Sequence, residues 1–107
     1  MGNPPTAATL ATNGARGEVV ARLAGAQRRL CLTLGALAEI ETGLGLDGLS
    51  GLAERMRALS ARDLMVVLAA VLRGGGERAL ADDLGRAGVD LREAAEAVAK
   101  AFAAAAR

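Results

Sequence analysis

The stretch that decides the fold is SARDLMVVLAAVLRGGG, residues Ser60–Gly76. Ser60 is a good helix N-cap, and Asp63, three residues later, has the spacing of a capping box. No polar residue interrupts Leu64–Leu72, a pattern typical of a helix buried all round, although a continuous buried strand is the alternative. The two ends favour the helix, because Gly74–Gly76 accept the left-handed conformation that a helix C-cap needs.

On the N-terminal side of this stretch, alternating apolar and polar residues predict a β-hairpin over residues 18–33. Ala24–Gln27 is the expected turn, in which Gly25 supplies a positive φ. Cys31 is expected on the outer or edge face as a small structural residue and not as a reactive thiol. The expected buried face consists of Val19, Ala21, Leu23, Leu30, Leu32 and Leu34.

Elsewhere the apolar residues recur three and four apart, which predicts helices. We expect five helices, over about residues 34–44, 48–58, 61–73, 77–87 and 91–105. Thr33, Asp47 and Asp90 are the expected N-caps of the first, second and last of them. The last helix would bury a stripe formed by Leu91, Ala94, Ala95, Val98, Phe102 and Ala105.

The fold predicted from these elements is α+β, with an N-terminal β-hairpin packed on a bundle of about five short α-helices. Residues 16–107 would form a single domain. Residues 1–15 would be a disordered tail, because Pro4, Pro5 and small polar residues give it no periodic pattern.

The composition points away from catalysis and from charged partners. The 107 residues contain no histidine and a single cysteine, Cys31, so the commonest general base and metal ligand are missing and no disulfide framework exists. We therefore expect no enzyme, no catalytic residue, no cofactor and no metal. A net charge of +1 predicts neither nucleic acid nor a membrane as a partner, and the reduced cysteine suits the cytoplasm.

Three local patterns have a functional and a structural interpretation, and the structural one is favoured each time. Glu39 and Glu41 stand two apart on a helix and point in different directions, so they do not form a catalytic pair. LGLDGLSG, residues Leu44–Gly51, lacks the Lys-Ser/Thr of a phosphate-binding loop. Helices 48–58 and 61–73 could form a helix-turn-helix, but the second one is too apolar to read DNA.

Two segments resemble a known family: RRLCLTLGALAEIETGLGLDGLSGLAERM (Arg28–Met56) and LSARDLMVVLAAVLRGGG (Leu59–Gly76). Their order and spacing resemble the small tail protein of gene transfer agents, a family of phage tail-assembly genes described as tail tube-associated or as tail assembly chaperones. The resemblance covers about Gly17–Phe102. None of its motifs is a catalytic signature, and the family carries no catalytic residues.

The resemblance implies a role in assembling a phage-like tail in the bacterial cytoplasm, with the tape-measure protein, the tail tube protein or both as partners. Its main implication is a chaperone that keeps the tape-measure protein soluble. The alternative is a structural tail component that stays in the particle and forms homo-oligomers by strand addition at the hairpin edge. A small DNA-binding regulator is the weakest interpretation. Residues that would bind the partner, in a groove beside the hairpin and the last helix, are Val20, Met65 and Phe102.

Overall fold

The computed structural model describes residues 17–106, and it has the predicted α+β architecture. An antiparallel hairpin is followed by five helices, and the tail expected over residues 1–15 lies outside the described residues. The elements are β1 (Glu18–Leu23), β2 (Ala26–Cys31), α1 (Leu34–Leu44), α2 (Leu49–Met56), α3 (Ala61–Gly74), α4 (Arg78–Asp82) and α5 (Leu91–Ala105).

The hairpin turn is shorter than the four residues predicted. Leu23 pairs with Ala26, so only Ala24 and Gly25 connect the strands, and both have positive φ, 52° and 80°. Such a two-residue turn follows the right-handed twist of the strands, which explains why the chain accepts the unusual φ at Ala24.

One face of the hairpin packs on the core as predicted, but the second strand is more deeply enclosed. Leu23 and Leu30 are fully buried. The prediction that Cys31 lies on the outer or edge face is wrong, because Cys31 is only 1% exposed. The end of α3 lies directly against this part of β2, where a Cβ on Gly74 would lie 3.2 Å from the carbonyl carbon of Cys31 and closer still to its oxygen.

Helix α3 is the centre of the core and contacts β2, α1, α4 and α5. Its N-terminus carries the predicted capping box: Asp63 N donates to Ser60 Oγ at 3.0 Å, and the Asp63 carboxylate accepts from Ser60 N. Its C-terminus differs from the prediction. Gly74 is the last helical residue and Gly75 has right-handed φ and ψ, so only Gly76, with φ of 91°, uses the left-handed conformation. The first two glycines are therefore explained by close packing.

The two short helices depart most from the sequence pattern. Gly48, and not Asp47, precedes α2, and it provides no side-chain cap. Helix α4 has five residues where eleven were predicted, and turns occupy the chain up to Gly88. Near the end of α2, Arg55 donates hydrogen bonds to the Asp63 carboxylate at 2.9 Å and to the Leu44 carbonyl oxygen at 3.2 Å. Short helices lack enough residues to show a reliable period, which accounts for these differences.

Helix α5 packs beside β1 with a stripe rotated from the predicted one. Asp90 caps it as expected, accepting a hydrogen bond from Glu93 N. Its buried residues are Ala94, Ala97, Val98 and Ala101. Leu91, Ala95 and Ala105 are exposed, and Phe102 is half-buried against the core. Helix α5 contains alanine on several faces, and these faces look equally apolar in the sequence. The hydrophobic pattern therefore does not determine which face of the helix is buried.

Candidate partner-binding surface

Helix α3 is not buried all round, and its outward side forms the floor of an open groove. Met65, Val66 and Ala69 line this floor, and the groove has a volume of about 710 Å³. Helix α1 forms one wall, and α4 with the turn after it forms the other. We call it the α3 groove. Helix α4 ends at Asp82, and Leu84 and Gly85 of the turn that follows line the groove on this side.

Small residues shape the walls of the α3 groove. Ala38 and Gly43 lie on the α1 wall, and Ala81 and Gly85 lie on the opposite wall. Small side chains on both walls allow a helix or an extended segment to approach the α3 floor closely. A methionine floor suits such a contact, because its flexible thioether adapts to differently shaped partners.

An ion cluster closes one end of the α3 groove. Arg73 donates to the Glu39 carboxylate of α1 and, at 2.8 Å, to Asp82 Oδ1 of α4. The hydrogen bond to Asp82 and the charge of Glu39 raise the pKa of Arg73 above its ordinary value. All three side chains are at least a third exposed, so each ion pair stabilises the fold by less than about 1 kcal/mol. The cluster therefore serves mainly to fix the relative positions of α1, α3 and α4.

A second, smaller cleft of about 280 Å³ lies between α3 and α5 and shares Met65 with the α3 groove. Leu84, Val89 and Leu91 are among its lining residues. Leu91 is 68% exposed and Met65 is 45% exposed. Met65, Leu84 and Gly85 line both clefts and join them into one continuous surface on the helical side of the molecule.

The three residues predicted to bind a partner have different surroundings. Met65 lies in both clefts. Val20 is half-buried on β1, Phe102 is half-buried on α5, and neither lines the α3 groove. The hairpin and α5, beside which the groove is predicted, pack against each other, and Lys100 Nζ lies 2.6 Å from the Val20 carbonyl oxygen.

Hydrophobic periodicity does not identify several residues that define this surface. Leu91 was assigned to the buried stripe, and the partners of Arg73 come from 34 and 9 residues away in the chain. A usable signal existed for Leu91, because it directly follows the N-cap Asp90. Side chains in a helix tilt toward its N-terminus, so at the first position they project past the end of the helix.

The charged groups do not suggest a reaction centre. In residues 17–106, no group of three or more His, Cys, Asp and Glu side chains is placed to hold a metal ion. Glu39 forms an ion pair with Arg73, and Asp63 forms an ion pair with Arg55. Across the same residues, none of the helices combines the length and the apolar character needed to cross a membrane.

Comparison with known proteins identifies one relationship. The family described as "Phage tail tube protein, GTA-gp10" matches residues 16–107, a range that includes the hairpin and all five helices. No curated protein and no solved structure matches the chain significantly.

Proposed function

The chain belongs to the phage tail tube protein family GTA-gp10, and we propose that it is a structural component of a gene transfer agent tail that remains in the assembled particle. The family match across residues 16–107 carries this proposal, because it includes every strand and helix described above. The description is that of a structural protein and not of an enzyme. Its partners would accordingly be other tail proteins or further copies of the same chain.

A second candidate is a chaperone for the tape-measure protein. The α3 groove favours it, because an open apolar groove with small-residue walls suits an apolar helix that must be kept soluble before assembly. The two functions differ in what happens after assembly: a structural component is retained in the particle, whereas a chaperone leaves.

Quantitative mass spectrometry of purified particles and of the producing-cell lysate separates the two functions. A structural component should be present at tens of copies per particle, measured against the major capsid protein as an internal standard. Abundance in the lysate combined with absence from particles would overturn the structural proposal and support the chaperone.

The residues that contact the partner can be tested in the same particles. We propose Met65 as the first contact residue, with Val20 and Phe102 as further candidates. Met65→Gln should reduce incorporation into particles, because it places an amide in the apolar floor. Leu34→Gln is the matched control, since Leu34 is 83% exposed and does not line the α3 groove. Equal incorporation of both folded variants would exclude the groove as the contact surface.

A further inference from the structure

The hairpin has two strands, so each strand is an edge that could accept a third strand. Leu23 and Ala26 flank a two-residue turn and therefore form a hydrogen-bonded pair. Pairs alternate along an antiparallel ladder, so Val20 and Arg29, three positions further along, form a non-hydrogen-bonded pair. Their N–H and C=O groups point away from each other toward the two edges. Such outward groups are the template for strand addition.

Two charged side chains from the helical region occupy the outward groups of this same pair. On the β1 edge, Lys100 Nζ of α5 donates to the Val20 carbonyl oxygen at 2.6 Å. On the β2 edge, Arg29 N donates to Glu77 Oε2 at 3.0 Å. Lys100 is the single lysine of the sequence, and Glu77 directly precedes α4. The Val20–Arg29 pair thus has one outward backbone group on each edge that is already hydrogen-bonded to a side chain distant in the chain.

Backbone packing reinforces the β2 side. A Cβ on Gly75 would lie 2.5 Å from the carbonyl carbon of Arg29 and 2.8 Å from Leu30 N, so the end of α3 lies directly against the strand. The β1 side has a different protection, because Lys100 is exposed and holds the Val20 carbonyl with a flexible side chain. The β1 edge therefore depends more on a single hydrogen bond.

We propose that the side chains of Lys100 and Glu77 protect the two edges of the hairpin and prevent a strand from a second copy of this chain from pairing with it. An incoming strand must place an N–H at the Val20 carbonyl or a C=O at the Arg29 N–H, and each position is taken. An incoming strand would therefore have to break the hydrogen bond of Lys100 or of Glu77 before it could form its own. This inference does not depend on the proposed tail function, because it concerns the hairpin edges alone.

The test uses the full chain with two matched pairs of substitutions. Lys100→Met and Glu77→Met remove the donor and the acceptor, whereas Lys100→Arg and Glu77→Gln keep a donor and an acceptor of similar size. Molecular mass is followed by sedimentation velocity over a hundredfold range of concentration, and circular dichroism verifies folding. We expect the double Met variant to associate at a concentration at least tenfold lower than the parent, and the Arg/Gln variant to follow the parent.

Amide hydrogen exchange identifies where any association occurs. Strand addition should slow exchange at the outward N–H groups of the edge that pairs, which are those of Val20 and Arg22 on β1 and those of Gln27 and Arg29 on β2. A folded double Met variant with the mass distribution of the parent would overturn the proposal, and so would association without new protection at these amides. Equal association of the Arg/Gln variant would also overturn it. If the double variant does not fold, Lys100→Met alone decides the outcome for the β1 edge, since Lys100 is exposed.

Discussion

Gly74 and Gly75 offer the sharpest test of how this fold is held together, because two physical effects predict opposite results for Gly→Ala. Both residues have right-handed backbone conformations that alanine adopts without strain. Helix propensity alone predicts that alanine stabilises such a position by about 1 kcal/mol relative to glycine. The close packing of both glycines against β2 predicts the opposite, a lower free energy of unfolding for the alanine variants.

The steric effect of the added Cβ should be larger than the gain in helix propensity. Ordinary contact begins at 3.4 Å, whereas a Cβ on Gly75 would lie 2.5 Å from the Arg29 carbonyl carbon. The helix and the strand would therefore have to separate by at least about 0.9 Å at this point, since the Arg29 carbonyl oxygen lies closer still. The obstacle is backbone in both cases, so no side chain can rotate away. Overpacking of this kind costs about 1–3 kcal/mol, and subtracting the propensity gain of about 1 kcal/mol leaves a net loss of up to about 2 kcal/mol for Gly74→Ala and for Gly75→Ala.

Urea unfolding followed by far-ultraviolet circular dichroism is the appropriate assay, since the chain has no tryptophan or tyrosine. In a thermal scan of a domain of this size, the expected loss lowers Tm by up to roughly 15 °C. Gly35→Ala and Gly51→Ala are the controls, because a Cβ at either site lies at least 3.5 Å from its nearest neighbour and φ is not positive. The controls should gain up to about 1 kcal/mol. An equal gain at Gly74 and Gly75 would refute the packing argument.

Three further predictions concern the capping box, the pH dependence and the thiol. Ser60→Ala should lower the free energy of unfolding by about 1 kcal/mol in urea titrations, and an unchanged value would show that the cap contributes nothing. The hydrogen bond from Arg55 lowers the pKa of Asp63 below its ordinary value of 3.8, so the stability that it contributes is present above about pH 4 and is lost as the pH falls through the lowered pKa. The stability difference between the parent and Asp63→Asn should therefore shrink between pH 6 and pH 2, and a constant difference would contradict this assignment. Cys31 should react with a thiol reagent only at the rate of unfolding, because it is 1% exposed; rapid labelling of the folded protein would contradict its burial.

The order and type of the elements could be predicted because each has a local signal. Alternation identifies the hairpin, and the caps Thr33, Ser60 and Asp90 all accept the expected backbone hydrogen bond. These signals depend on neighbours within four residues, so the sequence displays them directly. The N-cap of α2 could not be predicted in this way, because it is Gly48, which has no side chain to form the capping hydrogen bond.

Long-range packing could not be predicted in this way. The glycines after Arg73 have the composition of a helix C-cap, yet two of them are required by a strand more than 40 residues away in the chain. Cys31 has the alternation of an outward residue, but the end of α3 encloses its strand. A one-dimensional pattern reports which face of an element is apolar, and it does not report how many elements pack around it.

The errors at Leu34 and Leu91 have one cause. Each is the first residue of a helix and directly follows its N-cap, and each is more than two thirds exposed. Leu49 occupies the same position in α2 and is 56% exposed. Because side chains tilt toward the helix N-terminus, an apolar residue at this position projects beyond the helix and needs a neighbouring element to bury it. A periodic pattern should therefore be counted from the second residue of a helix.

The described contacts leave the helical side of the chain more accessible than the hairpin edges at the Val20–Arg29 pair. The inner face of the hairpin is buried through Leu23 and Leu30, and the Val20–Arg29 pair is closed at both edges by Lys100 and Glu77. Strand addition would therefore have to displace existing contacts before it gained new ones. The α3 groove is already open, and its apolar floor gains stability on burial at about 25 cal/mol per Å² without displacing any part of the fold. Binding of a helix in the α3 groove would therefore break fewer existing contacts than strand addition at the hairpin.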